Sequence, residues 1–356
     1  MAINLSETAT RQDRFADLVF EGGGVKGIGL VGALSILEEQ GYQPQSLAGS
    51  SAGAITAVLL AAGYSAAELH EIVRSLDFRQ LTDEAWEDRI PLIGSLVSIL
   101  KDKGIYEGNA FIALMRSLLE ARGVHTFADL RHPIYGQDPN PLYRHKVQVI
   151  VSDLTDRCLL VLPRDAKAHL GVEPDELDVA LAVRMSMSIP IFFEPVRFPN
   201  PVDKQEHVLV DGGMLSNFPV WLFDSGGEPE WPTFGLKLVE PDPTAVSLAE
   251  RLPPGRSTRG GVVSYVKSLV QTMTEAHDRL YIEKAQFART IPIETLGIRT
   301  TEFNLTLERA DALYESGRKA AREFLAAWDF NAYIAEFRSG KPHHRRAEIA
   351  AELAQA

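Results

Sequence analysis

The chain has 356 residues, of which 45% are hydrophobic and 24% are charged, and its formal net charge at pH 7 is −12. This composition predicts a globular protein with one large or two medium domains and enough apolar material for a core. The negative charge argues against a general nucleic-acid binder, and any attraction to an anionic membrane would have to be local or hydrophobic. The single cysteine, Cys158, excludes an internal disulfide framework and fits a reducing compartment.

The N-terminal region gives no sign of a secretory signal. Residues 1–15 contain no basic stretch that leads into an apolar one. The longest apolar run, from about Ala52 to Gly63, is too short to span a bilayer. These features predict a soluble, cytoplasmic protein and leave open export by a route that needs no signal peptide.

A strand followed by a glycine-rich loop begins the folded region. The strand-like run 16–20 ends in GGGVKG at 22–27, and a 3.6-residue apolar period then predicts a helix that ends near Gly41. Consecutive glycines before a helix expose backbone N–H groups in a concave nest, which favours an oxyanion-binding loop. The loop also matches the dinucleotide pattern G-x-G-x-x-G. The acidic residue expected after the next strand is missing, however.

The second strand leads into a match to G-x-S-x-G. Gly49, Ser51 and Gly53 supply the motif, and residues 54–62 continue as an apolar helix that stops at Gly63. On such a strand-to-helix turn the serine has a strained backbone, and the glycines leave room for the turn and for substrate. The following helix directs its free N–H groups and its positive dipole end toward the reacting centre. The pattern predicts that Ser51 is the nucleophile of an acyl-transfer site.

A carboxylate follows a later strand. The predicted elements between the two sites are a helix begun by a capping box at 65–68, a helix at 109–122, strands at 146–151 and 158–162, a helix at 178–187 and a strand at 207–210. Asp211 comes directly after the last of these, and Gly212 and Gly213 follow it. Open α/β sheets build their sites at the carboxyl ends of strands, so Asp211 is the second candidate residue. Beyond a strand at 233–238, residues 262–328 are predicted to be mainly helical.

Three motifs therefore stand in order along the chain: GGGVKG at 22–27, GSSAG at 49–53 and DGG at 211–213. Together they resemble the patatin-like phospholipase family, whose pattern is G-G-G-x-[KR]-G, G-x-S-x-G and D-G-[GA]. Lesser echoes of the family lie at 104–106, 152–155, 186–193 and 303–317. The resemblance covers roughly residues 15–330, and the three motifs show no departure from the pattern.

The resemblance implies a three-layer α/β/α fold with a mainly parallel central sheet. It implies a Ser–Asp dyad in which Ser51 is the nucleophile and Asp211 is the base. It also implies an oxyanion hole at Gly22, Gly23 and Gly24 with Lys26 beside it. The motif-supporting glycines would be Gly27, Gly49, Gly53, Gly212 and Gly213.

The function that the resemblance implies is hydrolysis of carboxylic ester bonds in lipids or phospholipids through an acyl-enzyme. This chemistry needs no cofactor and no metal. The expected partner is the lipid substrate, with peripheral membrane contact and no nucleic acid, and the oligomeric state stays open. We expect one acyl hydrolase domain at 15–330, with 80–145 as a candidate helical flap or insert, and a C-terminal tail at 331–356.

Several alternatives remain at this point. A Ser-His-Asp esterase would use His277, which follows Asp211 in the order of α/β-hydrolases. The same site could also transfer the acyl group to an alcohol or thiol, and a non-enzymatic reading makes the glycine loop a nucleotide-binding regulatory module. Residues 90–100 are either a core helix or a mobile flap that contacts lipid. The adjacent His343 and His344 are not a spaced set of metal ligands.

Overall fold

The computed structural model describes residues 14–75, 104–106, 108–224, 228–240, 284–300, 302 and 305–338. Three features named from the sequence lie outside these residues: the candidate flap at 90–100, His277, and the histidine pair at 343–344.

A mixed sheet forms the centre of the fold. Its strands are β1 (Phe15–Phe20), β2 (Gln43–Ser50), β4 (Val147–Asp153), β5 (Cys158–Leu162), β7 (Val196–Pro199), β8 (Glu206–Asp211), β9 (Thr233–Val239) and β10 (Thr290–Glu294), whereas β3 (Gly104–Tyr106) and β6 (Ile191–Phe193) form a separate parallel pair. The order across the sheet is β10-β9-β1-β2-β4-β8-β7, and β5 also pairs with β4. The first five strands in this order are parallel, while β5 and β8 run antiparallel to β4 and β7 runs antiparallel to β8.

Helices and loops cover both faces of the sheet. The helices are α1 (Gly27–Glu39), α2 (Ala52–Ala61), α3 (Ala66–Ser75), α4 (Asn109–Glu120), α5 (Val179–Ser186), α6 (Lys284–Ala288), α7 (Leu307–Ala327) and α8 (Phe330–Tyr333). Along β1, Leu18 and Phe20 belong to the large apolar cluster that includes α1 and α2, whereas Val19 belongs to a smaller cluster with Phe218. This alternation is the two-residue period of a strand that is buried on both faces. The predicted fold class is confirmed.

Local signals in the sequence explain several element boundaries. The Glu68 carboxylate accepts from the Ser65 backbone N–H at 2.9 Å, and the Glu68 N–H donates to the Ser65 hydroxyl at 3.3 Å, so the predicted capping box is present at the start of α3. Asp178 accepts from the backbone N–H of Leu181 at 2.7 Å and so begins α5. The turn after β4 is ordered by Asp153, which accepts from the backbone N–H of Thr155 at 2.8 Å.

The prediction of mainly helical structure over 262–328 is wrong at β10. Residues 290–294 form a strand that pairs only with β9, at the edge of the sheet among the described residues. Pro292 lies inside this strand. Proline has no backbone N–H, so it cannot donate one of the hydrogen bonds that a strand with neighbours on both sides makes. An edge strand tolerates it, because one side of the strand has no partner to satisfy.

Residues beyond 330 also pack on the domain. Tyr333 is buried against Trp328, and the Arg338 guanidinium lies 2.6 Å from the Asp224 carboxylate. Among the helices that the structure describes, none combines the length and the apolar character needed to cross a bilayer.

Candidate active site

Ser51 occupies a strained turn between β2 and α2. Its backbone dihedrals are φ 53° and ψ −127°, a left-handed region that costs a residue with a side chain of order 1–3 kcal/mol. A Cβ on Gly49 would lie 2.3 Å from the Gly53 carbonyl, and a Cβ on Gly53 would lie 2.3 Å from the Phe20 carbonyl oxygen. Both motif glycines are therefore required by close backbone approach, and they let the start of α2 lie against β1 and β2.

A buried serine that the sequence analysis did not single out holds the nucleophile's backbone. The Ser51 N–H donates to the Ser186 hydroxyl at 2.9 Å, and that hydroxyl donates to the Ile150 carbonyl at 2.6 Å. Ser186 lies at the end of α5 and is fully buried. It thereby connects the Ser51 turn to β4. The only signal for it was its place in the run 186–193, which echoes the family without assigning a role.

The pairing of β8 with β4 places Asp211 next to Ser51. From the sequence, β8 was expected to be a strand whose carboxyl end lies at the common edge of an open α/β sheet. β8 instead runs antiparallel to β4, and Asp211 pairs with Val151, one residue beyond the Ile150 that pairs with Ser50. A Cβ on Gly212 would lie 2.2 Å from the Ile150 carbonyl oxygen. Only glycine at this position allows the turn after Asp211 to lie so close to β4.

The Asp211 carboxyl is buried and only partly hydrogen-bonded. Its Oδ1 accepts from the Gly213 N–H at 2.7 Å. Its Oδ2 has no hydrogen-bond partner among the described residues. Burial raises the pKa of Asp211 to about 7, while the nearby Ser51 hydroxyl and the Gly213 N–H act in the opposite direction. The Ser51 Oγ itself lies 3.5 Å from the Met187 sulfur, its hydrogen-bond contact in this conformation.

The glycine loop lies beside this pair. A Cβ on Gly22 would be 3.1 Å from the Ser51 Cβ, and the loop is fastened by two hydrogen bonds with Asn217, from the Gly22 N–H and to the Gly22 carbonyl, both at 3.0 Å. The Gly22 N–H is therefore already engaged. Within the part of the chain that the structure describes, no acceptor engages the N–H groups of Gly23 and Gly24. Lys26 is half-buried at the start of α1.

A buried ion pair supports the loop from behind. The Lys237 ammonium lies 2.5 Å from the Glu21 carboxylate, which also accepts from the Leu238 N–H at 2.5 Å. Glu21 directly precedes the glycine loop. The pair therefore ties the loop to β9, although neither residue belongs to a motif.

An apolar pocket opens next to Ser51. Its wall includes Gly24, Ala52 and Met187, which adjoin the glycine loop and the serine turn. Further in, the lining is almost wholly apolar and comes from α2, α3 and α4: Ile55, Leu59, Leu69, Ile72, Phe111 and Met115. The arrangement offers an apolar lining for a hydrocarbon chain beside the serine turn.

Comparison with known proteins agrees with this arrangement. A family model described as patatin-like phospholipase matches residues 18–224. YqhO of Bacillus subtilis (strain 168) is 36% identical over 316 residues, which cover 89% of this chain and 100% of that protein. The NTE family protein Mb2594 of Mycobacterium bovis is 26% identical over 327 residues, which cover 88% of this chain and 47% of that protein.

A solved structure shares the fold. VipD from Legionella pneumophila matches with a TM-score of 0.53 and 18% sequence identity, covering 88% of this chain and 67% of that chain. The family model spans more than half of the chain, and its three motifs converge on one site. The chain therefore belongs to the patatin-like phospholipase family and is a lipid acyl hydrolase.

Proposed function

We propose that the chain hydrolyses carboxylic ester bonds of lipids or phospholipids with a Ser51–Asp211 dyad, through an acyl-enzyme. One observation carries the proposal. Ser51, in a strained turn, lies beside a buried Asp211 whose Oδ2 has no partner among the described residues, at the mouth of an apolar pocket. Rotation of the Ser51 side chain from the Met187 sulfur toward Oδ2 would form the reactive hydrogen bond.

In the first half-reaction, Asp211 accepts the hydroxyl proton while Ser51 Oγ attacks the ester carbonyl carbon. The carbonyl electrons move to oxygen, and the N–H groups of Gly23 and Gly24 stabilise the resulting oxyanion. The tetrahedral intermediate collapses, the C–O bond to the leaving alcohol breaks, and the alcohol takes the proton from Asp211. An acyl ester on Ser51 remains.

In the second half-reaction, water replaces the alcohol. Asp211 accepts a proton from water as the water oxygen attacks the acyl carbonyl, and the oxyanion forms in the same place. Collapse breaks the bond to Ser51 Oγ, which recovers its proton from Asp211. The product is a free carboxylic acid. Each oxyanion donor is typically worth roughly 3–4 kcal/mol of transition-state stabilisation.

Burial makes Asp211 a better base than an ordinary carboxylate. A carboxylate with the usual pKa near 4 holds a proton too weakly to assist attack by a hydroxyl group. Because burial raises the pKa of Asp211 to about 7, its ionised form is more basic and still present at neutral pH. Lys26 at the edge of the loop would add positive potential where the oxyanion forms.

The apolar pocket supplies the specificity for lipid. Burial of each methylene group contributes about 0.8 kcal/mol, so a chain that fills the pocket would be preferred over short esters. Since such substrates reside in membranes and micelles, the protein is expected to work at a lipid surface in peripheral contact.

The proposal is tested by release of free fatty acid from mixed phospholipid vesicles. Wild type, Ser51→Ala and Asp211→Asn are compared at equal concentrations of folded protein, with circular dichroism as the folding control. We expect release from wild type only. Parallel assays with lysophospholipid micelles and triacylglycerol emulsions would name the preferred lipid class, and added glycerol would reveal acyl transfer as a glyceride product. Full activity in Ser51→Ala would refute the dyad.

A further inference from the structure

A second group of reactive side chains lies at the turn between β4 and β5. Asp156 is in the turn, Cys158 is the first residue of β5, and His169 lies in a short helical segment, Ala166–Leu170. One carboxylate oxygen, the thiol sulfur and the imidazole Nδ1 of these residues all lie within 4.8 Å of one another. None of the three belongs to the Ser51–Asp211 site.

These atoms are close enough to become ligands of one metal ion after a shift of a few tenths of an ångström. His169 Nδ1 is 3.4 Å from Asp156 Oδ2 and 3.9 Å from Cys158 Sγ. A good N–H···O hydrogen bond would be about 2.9 Å long. Around a tetrahedral zinc ion, with bonds of about 2.0–2.1 Å to nitrogen and oxygen and 2.3 Å to sulfur, ligand atoms are roughly 3.3–3.6 Å apart.

We propose that Asp156, Cys158 and His169 bind one Zn²⁺ ion, with a water molecule as the fourth ligand. A thiolate and an imidazole favour zinc over magnesium or calcium, which prefer oxygen ligands. The Asp156 and His169 side chains are 39% and 36% exposed, so an ion can enter and a water molecule can complete the tetrahedron. Binding replaces the thiol proton of Cys158, which leaves to solvent, by the S–Zn bond.

The charge around the thiol supports a cation. The carboxylates of Asp153, Asp156 and Asp165 all act electrostatically on Cys158. These carboxylates also have basic partners: His207 Nδ1 is 2.6 Å from Asp153 and 3.9 Å from Asp156, and Arg164 pairs with Asp165 at 2.6 Å. The thiolate and the Asp156 carboxylate together carry two negative charges, which balance the charge of a divalent ion.

A rival ligand set shares Asp156. Asp153, Asp156 and His207 also place three ligand atoms within 4.8 Å. In that set both ring nitrogens of His207 already contact carboxylates, Nδ1 with Asp153 at 2.6 Å and Nε2 with Asp203 at 3.2 Å. This group is satisfied as an ion pair, so we assign zinc to the set that contains Cys158.

The proposed ion would act as a clip in the fold. It would join the β4–β5 turn to the segment 166–170, whose position is already fixed by Asn200 Nδ2 donating to the His169 carbonyl at 2.8 Å. The proposal does not depend on ester hydrolysis by Ser51. We expect the stripped protein to keep its Ser51 chemistry.

Cobalt spectroscopy tests the site in the full chain. Chelator-stripped protein titrated with Co²⁺ should develop a thiolate-to-cobalt charge-transfer band in the near ultraviolet, complete at one equivalent and abolished by one equivalent of Zn²⁺. Cys158→Ser should remove the band. His169→Gln and Asp156→Asn should weaken zinc binding at least tenfold, because each removes a ligand.

Two controls keep the test decisive. His125→Gln changes an exposed histidine elsewhere, and a His343→Gln, His344→Gln double variant removes a second source of imidazole. Both should bind zinc as wild type does. If Cys158→Ser is unstable, the half-exposed His169→Gln variant carries the test alone. The proposal is overturned by a protein without the cobalt band, by a band that persists in Cys158→Ser, or by unchanged zinc affinity in His169→Gln.

Discussion

Two buried aspartates lie on strands of the same sheet and differ in what faces their oxygens. Burial raises the pKa of both Asp17 and Asp211 to about 7. Asp17 is near the start of β1, where its Oδ1 accepts from the Ser46 N–H at 3.0 Å, and the side chains of Trp231 and Ser46 act to lower its pKa. Asp211 instead keeps Oδ2 without a partner among the described residues, next to the Ser51 hydroxyl.

The comparison shows that a raised pKa does not by itself identify a general base. The Asp17 carboxylate connects β1 to β2 through Ser46. It lies roughly 10 Å along β1 from the glycine loop. Asp211 has the same raised pKa, but its Oδ2 has no partner among the described residues, and it lies beside a strained serine and an apolar pocket. The geometry of the unpaired oxygen, and not the size of the shift, distinguishes a candidate catalytic group from a structural one.

The largest expected difference is in turnover. Asp211→Asn should lower kcat for fatty acid release by about 10⁴-fold, the scale seen when an acid–base partner of a serine nucleophile is lost. Asp17→Asn is the matched control, because it makes the same isosteric change in an equally buried carboxyl. We expect less than a threefold change in its kcat per folded molecule. Equal losses in the two variants would mean that the activity depends only on stability.

The two sites should also differ in how pH affects stability. A carboxyl whose pKa is raised in the folded state binds its proton more tightly there than in the unfolded chain. Its stabilising contribution to the free energy of unfolding is therefore fully present below about pH 4. This contribution is lost as the pH rises through about 7, and the loss is up to about 4 kcal/mol for a pKa difference of about three units. Asp211→Asn removes this loss, so at pH 8 its free energy of unfolding should exceed that of wild type.

Asp17→Asn should behave differently in the same urea titrations. It also removes a buried charge, but it replaces a carboxylate oxygen that accepts hydrogen bonds with an NH₂ donor. Above pH 7, where Asp17 is ionised, the clash of donors should offset about 1–3 kcal/mol of the stability gained by removing the charge. At pH 8 we expect Asp17→Asn to gain less stability than Asp211→Asn. An Asp211→Asn variant that is less stable than wild type at pH 8 would contradict the conclusion that burial of its charge destabilises the fold.

A smaller effect is expected from a hydroxyl that positions the nucleophile without reacting. Ser186→Ala leaves the Ser51 N–H without its acceptor, so the turn should shift by a fraction of an ångström and kcat should fall by roughly 10–100-fold. Ser35→Ala is a suitable control, because Ser35 is also a buried helical serine and donates to the Gly32 carbonyl at 2.7 Å. The pH profile of the Ser186 variant should keep the wild-type midpoint. A changed midpoint would indicate that Ser186 acts on the base.

The sequence predicted the elements whose signals are local. The Ser65–Glu68 capping box and the glycine-supported Ser51 turn each depend on residues within a few positions of one another. β10 was missed because Pro292 argues against a strand unless the strand is known to lie at an edge. That knowledge requires the order of strands across the sheet, which no local pattern carries.

The motif residues of the candidate site could be predicted from the sequence, whereas the residues that hold them in place could not. The motif residues Ser51 and Asp211 are brought together as expected, although by an antiparallel register that the sequence argument did not include. Ser186 and Asn217 hold the serine turn and the glycine loop from 135 and 195 residues away in the chain. Contacts at such separations leave no periodic or spacing signal in one sequence.

The central claim is that ionised Asp211 activates Ser51, and the rate of fluorophosphonate labelling against pH tests it most directly. Intact mass and peptide mapping would follow the modification of Ser51 in wild type, Asp17→Asn and Asp211→Asn. We predict that the wild-type rate rises about tenfold per pH unit below pH 7 and levels off above it, because only the ionised carboxylate accepts the proton. Asp17→Asn should follow the same curve, and Asp211→Asn should be slow and without this midpoint. Labelling of Asp211→Asn at the wild-type rate with the same midpoint would contradict the account.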